Sequence, residues 1–251
     1  MLRIGILGLS EGNGHPYSWS AIFNGFDKTK DCSFDVIPEY LAQQNFPEDF
    51  LSHLGKVTHI YTQDLKISKK VAEFAFIEHV VDHPEEMINN VDVVLLARDD
   101  AENHYKMAKV LIENGIPIFI DKPLAYNRDE AEKIYSINRS SLIYTCSSIR
   151  FAKEFSEKIL EGTNFVNATV MKSWERYGIH IIEPVVSMFP NRGKLISIEK
   201  INSSKGVKIR VVKWENLQAT FTTTGKIKSP LSIDVMNINT SKNLLFKDTF
   251  Y

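Results

Sequence analysis

The stretch from Val91 to Ala125 constrains the fold of this chain more than any other. It opens with an apolar run, Val91 to Ala97, that is short, rich in β-branched residues and flanked by polar groups. That is the pattern of a strand buried on both faces. From about Ala101 to Asn114 the spacing of His104, Met107, Ala108 and Leu111 predicts a helix, and Asn114-Gly115 ends it. A second apolar run, Ile116 to Ile120, closes on Asp121-Lys122-Pro123. The three segments form one strand–helix–strand unit with a right-handed crossover. Ligands in such sheets bind beyond the carboxyl ends of the strands, which is where Asp99, Asp100 and Lys122 fall.

These residues resemble the Gfo/Idh/MocA family of nicotinamide-dependent oxidoreductases. In that family an apolar strand, an N-x-x-H segment, a helix and Glu-Lys-Pro follow in order. Here His104 matches the histidine, Ala101 stands where the asparagine would be, and Asp121-Lys122-Pro123 replaces Glu-Lys-Pro. The resemblance implies an α/β chain with an N-terminal Rossmann-type, doubly wound parallel sheet over residues 1–148. It implies a smaller C-terminal α+β domain over 149–251, with a mainly antiparallel sheet and a role in substrate binding or oligomerisation. It also implies that Ala97, Arg98, His104, Asp121 and Lys122 lie along the cofactor.

The front of the chain has its own signal. Leu2 to Leu9 reads as a strand, Tyr17 to Phe26 as a helix, and between them lies Gly8-Leu9-Ser10-Glu11-Gly12-Asn13-Gly14. Glycines let a backbone approach a pyrophosphate closely, and a helix start offers free N–H groups and partial positive charge. Gly8, Ser10, Gly12, Asn13 and Gly14 are therefore cofactor candidates, although the glycine spacing departs from G-x-G-x-x-G. Taken alone, the loop reads equally as a structural turn.

Residues 27–56 lose clear periodicity and read as an insertion ahead of the second strand, most simply a surface excursion. Val57 to Tyr61 reads as that strand. An acidic side chain at its end would receive the adenosine ribose. In the alignment that the resemblance implies, Thr62 occupies the acidic position and Asp64 follows, so both are cofactor candidates and NAD versus NADP stays open. No arginine in the segment favours a 2′-phosphate, although Lys66 is close, and the balance leans to NAD. Ser68 to Phe76 reads as a helix and Ile77 to Val81 as a strand. Pro84 opens a further helix, Arg128 to Asn138 forms another, and Leu142 to Cys146 is a strand. His79 and His83 read as ordinary strand and loop histidines, and no metal site is expected.

Beyond Ser147 the sequence alternates in the β manner. Val207, Ile209 and Val211 are expected on one face with Lys208 and Arg210 on the other, and Leu217, Ala219, Phe221 and Leu231, Ile233, Val235 repeat the pattern. The segment Trp174-Glu175-Arg176-Tyr177-Gly178-Ile179-His180-Ile181-Ile182-Glu183 resembles the family's D-x-G-x-H-x-x-D. Gly178 and His180 match, Glu183 stands for the trailing aspartate, and Arg176 replaces the leading one, which puts the proton route in question. The resemblance brings Arg150, Trp174, Tyr177 and His180 to the substrate and makes Lys122 and His180 the catalytic residues. An ammonium at a strand end stabilises charge on a reacting oxygen, and a histidine exchanges a proton near neutral pH.

Whole-chain totals narrow the class. With 30 basic and 31 acidic side chains the formal net charge is -1, which argues against nucleic acid or an anionic membrane as partner. No apolar run reaches the roughly 20 residues that span a bilayer, the N-terminus shows no signal-peptide pattern, and Cys32 and Cys146 fit a reducing cytoplasm. The expected function is hydride transfer between NAD or NADP and a sugar, cyclitol or sugar-derivative substrate, in a homo-oligomer (a dimer or dimer of dimers). Two alternatives stand beside it: a cofactor-binding regulatory or scaffold protein without turnover, and a reductase of a non-sugar substrate such as an imine or a tetrapyrrole. The short second domain and Arg176 favour the first; Lys122 together with His180 counts against it.

Overall fold

The computed structural model describes residues 1–138, 140, 142–156, 160–203 and 206–246. The end of the expected second domain, residues 247–251, lies outside the described residues. The chain divides into two compact units, one from Met1 to Thr145 and a second beginning at Cys146. Among the described residues, no helix is long and apolar enough to cross a membrane.

The first unit is built on a parallel sheet of strands β1 (Leu2–Leu7), β2 (Gly55–Tyr61), β3 (His79–Val80), β4 (Val93–Leu96), β5 (Ile118–Ile120) and β6 (Ile143–Tyr144). Their order is β3-β2-β1-β4-β5-β6, so the topology reverses at the β1/β4 boundary. The helices are α1 (His15–Asn24), α2 (Val36–Leu41), α3 (Leu65–Phe74), α4 (His104–Glu113) and α5 (Arg128–Ser136). They cover both faces. Tyr17, Ala21, Val71 and Phe74 pack in one apolar cluster, and Ala108, Leu111, Ile112 and Ile134 in another. A sheet covered on both sides needs apolar residues at successive positions, and the run Val93–Leu96 supplies them.

Several boundaries differ from the sequence reading. The helix expected from Ser68 starts at Leu65, because the Asp64 carboxylate accepts the Lys66 amide at 2.8 Å and caps it there. Pro84–Met87 is a single 3₁₀ turn, ended by extended backbone at Ile88. The strand expected from Ile77 shortens to His79–Val80. The segment 27–56 is no surface excursion. It contains α2, and Cys32, Ile37, Leu41 and Phe50 are buried in the same cluster as Tyr17 of α1. Its apolar residues are irregularly spaced because they meet α1 from a winding path, which leaves no period to detect.

The second unit has helices α6 (Lys153–Ser156), α7 (Trp174–Tyr177) and α8 (Ile179–Met188) and strands β7 (Phe165–Val170), β8 (Leu195–Asn202), β9 (Lys208–Trp214), β10 (Gln218–Thr223), β11 (Ser232–Met236) and β12 (Ser241–Leu245). The strand order is β12-β11-β7-β10-β9-β8, antiparallel except for the central β7/β10 pair. Ile181, Val185 and Met188 of α8 pack on Val166, Ala168, Ala219, Phe221, Ile233 and Val235. On β9 the expected alternation holds, and the covered face is the one that carries the basic residues. Val212 is buried in that cluster, Arg210 of the same face lies 4.8 Å over the Trp174 ring, and Lys208 pairs with Glu175. Ile209 and Val211 therefore point to the side away from α8. The long basic side chains have apolar stems that pack well against an aromatic ring, so a face that carries them can still be covered. β8 is an edge strand exposed along its whole length.

Candidate active site

The carboxyl ends of β1, β4 and β5 bring together Ser10, Asn13, His15, Asp99, Asp121 and Lys122. The residue after each strand end is tied to the neighbouring strand. Gly8 donates its N–H to Tyr61 O at 2.7 Å, Ala97 to Leu7 O at 2.9 Å, and Asp121 to Leu96 O at 3.0 Å. Lys122 follows directly, is 7% exposed, and places Nζ 3.8 Å from Asp121 Oδ2 and 4.0 Å from Asp99 Oδ2. Both carboxylates are engaged further. Ser10 Oγ donates to Asp99 Oδ1 at 2.8 Å, and Asn13 Nδ2 donates to Asp121 Oδ2 at 3.2 Å. His15 Nδ1 meets Asp121 Oδ2 at 2.7 Å, and the Lys122 amide donates to Asp121 Oδ1 at 2.7 Å. Burial pushes the Asp121 carboxyl up, but His15 and Lys122 outweigh it and hold the group below its ordinary value.

The glycine-bearing loop is shaped at two points. Gly8 has φ +80°, and a Cβ there would lie 2.6 Å from Arg98 Cδ, so no other residue fits. Gly12 also has positive φ, +75°, but its missing Cβ faces open space. Gln63 braces the loop's start, its amide accepting from Leu9 N at 3.1 Å and donating to Leu9 O at 2.8 Å. Asn13 Oδ1 accepts the His15 amide at 2.8 Å, and Gly14 immediately precedes α1.

The other sequence candidates of this unit lie around it. Arg98 is buried and bonds both carboxylate oxygens of Asp100, with Nε–Oδ1 at 2.7 Å. Asp100 also accepts from Asn103 Nδ2 at 2.7 Å. Burial raises its carboxyl, and the Arg98 and Asn103 bonds bring it below the usual carboxylate value. His104 is wholly buried, its ring nitrogens 2.8 Å from Arg98 O and 3.0 Å from Leu124 O, so it ties the β4 end to the turn after β5. The Thr62 hydroxyl is buried against Ser68 Oγ at 2.8 Å and Asp64 O at 2.7 Å. A cavity of about 450 Å³ opens beside these residues, lined by Tyr61, Gln63, Pro84, Arg98, Lys106 and Met107 among others.

In the second unit, Ser147, which caps the 3₁₀ turn Ser148–Phe151, and helix α8 build a separate cluster. His180 Nδ1 faces Ser147 Oγ at 2.7 Å. Glu183, one turn on, accepts the Ser147 amide at 2.5 Å and Arg150 Nη1 at 2.7 Å. The Tyr177 and His180 rings are 5.2 Å apart, and Lys172 Nζ sits 4.3 Å over the Tyr177 ring. Gly178 permits this close joint of α7 and α8, since a Cβ there would lie 2.8 Å from Trp174 O. Arg150, Trp174, Tyr177 and His180 thus share one neighbourhood of this unit. His15, Ser147 and Lys172 of these clusters were not singled out from sequence. His15-Pro16 at a helix start behind a glycine was the available sign of the first; Ser147 offered none.

A parallel sheet with a reversal at β1, a glycine-bearing loop there, and a buried lysine at the β5 end define a nucleotide-binding unit of the dehydrogenase class. The chain belongs to the Gfo/Idh/MocA family, whose model, described as an oxidoreductase family with an NAD-binding Rossmann fold, matches residues 2–142. Solved structures extend the likeness over both units. A dehydrogenase (MviM) from Clostridium difficile is 12% identical with a TM-score of 0.71, covering 97% of this chain and 77% of its own. GenD2 from gentamicin A biosynthesis, solved in complex with NAD, is 12% identical with a TM-score of 0.72, covering 98% and 73%. Myo-inositol 2-dehydrogenase from Lactobacillus plantarum is 12% identical with a TM-score of 0.70, covering 96% and 76%. At such identity the likeness establishes the fold. Comparison with curated protein sequences finds no match.

Proposed function

We propose that the protein transfers a hydride between a nicotinamide dinucleotide and a hydroxyl or carbonyl carbon of a sugar, cyclitol or sugar derivative. The observation that carries this reading is Lys122, buried at the end of β5 between the carboxylates of Asp99 and Asp121. An ammonium held there, with its charge balanced in the resting protein, is positioned to bond a reacting oxygen and stabilise the charge that develops on it. The names of the similar structures, an inositol dehydrogenase and an NAD complex among them, support the substrate class and the cofactor.

The residues present fit the dinucleotide. The open side of Gly12 leaves room for a pyrophosphate against backbone, and the cavity of about 450 Å³ has apolar walls in Tyr61, Pro84 and Met107 for an adenosine. Ser10, Gly12, Asn13 and Gly14 would hold the phosphates, Asp64 the ribose side, and Ala97, Arg98 and His104 the floor beneath. When bound, the nicotinamide supplies the hydride chemistry. NAD is taken as the preferred form. His180, its Nδ1 side held by Ser147, is assigned to catalysis alongside Lys122, and Arg150, Trp174 and Tyr177 to the substrate.

The reading extends to assembly. The face of the second sheet away from α8 carries Ile209, Val211 and the half-exposed Ile201 opposite Ile209, which supports a two-fold dimer through sheet faces. Light scattering that shows only monomer at micromolar concentration overturns that part.

The central test is titration of NADH and NADPH, followed by turnover on a panel of sugars and cyclitols. Absence of binding by both cofactors overturns the function. Lys122→Met and His180→Gln should each lower turnover on the order of 100- to 1000-fold, and the double variant should be little worse than either. Fully multiplicative losses would separate the two residues.

A further inference from the structure

Hydride transfer at an alcohol carbon leaves a proton to be moved, and the first unit contains a histidine arranged to move it. We propose that His15, oriented by Asp121, is an acid–base residue of this site, its Nε2 exchanging the proton of the substrate hydroxyl beside Lys122. The inference rests on the hydride-transfer reading above and adds a residue to it.

The geometry is that of an oriented imidazole. Asp121 Oδ2 lies 2.7 Å from His15 Nδ1, and an ionised carboxylate can only accept, so Nδ1 carries the hydrogen. In the neutral ring this leaves Nε2 with its lone pair. The ring is 31% exposed, while the Asp121 side chain beneath it is 3% exposed. Trp19 stacks on the imidazole at 4.6 Å and 15°, fixing its plane. Asn13 holds the backbone, accepting the His15 amide at 2.8 Å while its other end donates to Asp121 Oδ2 at 3.2 Å. The same Oδ2 is 3.8 Å from Lys122 Nζ, so imidazole and ammonium converge on one buried carboxylate oxygen. Asn13 alone suffices to cap the His15 amide. The ring's pairing with Asp121 is additional to what the start of α1 needs.

In the direction of alcohol oxidation the substrate O–H bond breaks and the proton forms a bond to Nε2. The electron pair of the C–H bond leaves as hydride to the oxidised nicotinamide, and the O–H pair becomes the second bond of the carbonyl. Asp121 stabilises the imidazolium without taking its proton, and the exposed ring then returns that proton to water. Carbonyl reduction is the same sequence reversed.

The test has a spectroscopic arm and a kinetic arm. In the free protein, the His15 ring resonances are assigned by NMR using His15→Gln, and NADH is added to saturation. They are expected to shift, and a downfield Nδ1–H signal present in wild type should vanish in Asp121→Asn and persist in Asp121→Glu. In turnover on the sugar panel, His15→Gln should bind NADH within about threefold of wild type while kcat falls on the order of 100-fold and its acidic pH limb disappears. His15 resonances that stay unmoved at saturating NADH overturn the inference. So does a His15→Gln enzyme that keeps both its kcat and its acidic limb. Failure of wild type to bind NADH is a different result, since it removes the hydride-transfer reading itself.

Discussion

Replacing Lys122 by methionine keeps most of the side-chain length and removes only the charge, so its cost can be worked from two distances. Nζ lies 3.8 Å from Asp121 Oδ2 and 4.0 Å from Asp99 Oδ2, and all three side chains are at most 10% exposed. At an effective dielectric near 20, one such pair is worth about 4 kcal/mol, giving about 8 kcal/mol gross for the two. Desolvating the ammonium costs several kcal/mol, and removing one partner of a buried charge group typically destabilises by about 3–5 kcal/mol. Lys122→Met is therefore expected to lose about 3–5 kcal/mol of stability near neutral pH. The pH dependence follows from Asp121. Its folded carboxyl is held below the ordinary value of 3.8, so its contribution is fully present above that pH and is lost as pH falls through the folded value. Without Lys122 the depression shrinks, and the gap between variant and wild type should narrow on acidification below about pH 4. Adding Asp121→Asn to Lys122→Met should recover part of the loss, since one stranded carboxylate is gone. Urea unfolding at several pH values, with amide hydrogen exchange read on the peptide spanning β5, measures both effects. Unchanged stability near neutral pH, or a gap that widens in acid, would refute the electrostatic account.

Three further outcomes are expected. Gly8→Ala combines a left-handed backbone, about 1–2 kcal/mol, with a Cβ placed 2.6 Å from an Arg98 side chain pinned by Asp100; denaturant unfolding should show it clearly less stable than Gly12→Ala, whose Cβ meets open space. Asp64→Ala removes the cap on α3 and should cost about 1 kcal/mol, and it should weaken NADH binding relative to NADPH; an unchanged preference between the two cofactors removes Asp64 from the ribose site. Asp92 is held down to about 2 by side-chain and backbone hydrogen bonds with Arg3, so its carbon NMR titration should centre near that value and return toward 3.8 in Arg3→Ala.

Much of the first unit was legible because its signals are local. The run Val91 to Ala97, the stop at Asn114-Gly115 and the strand ending in Asp121-Lys122 are each a few residues long, and they placed β4, α4 and β5. The burial of Cys32, Ile37, Leu41 and Phe50 was not legible, because it depends on where α1 lies rather than on any period of their own. On β9 the alternation was legible but not which face is covered, since a face bearing Lys208 and Arg210 can be covered when their stems pack against α7. The site divides the same way. Lys122 stood out in the chain, whereas the partners that give it meaning, Asp99 and His15, come from other strand ends. The contact of His15 with Asp121 joins residues far apart in sequence, and no spacing rule reaches that distance.

Among the described strands of the second sheet, β7 and β10 form the one parallel pair, and this bears on how such a chain can vary. β7 and β10 are neighbours running the same way, so the chain between them must cross a face of the sheet before returning. That crossing carries α7 and α8, with His180, and it then reaches the far edge at β8 and steps back inward through β9. Strands added, lost or lengthened at the β8 edge would alter the outline of this domain while leaving the crossing anchored to β7. The histidine is thus mounted on the crossing anchored to β7, away from the edge at which such changes would fall.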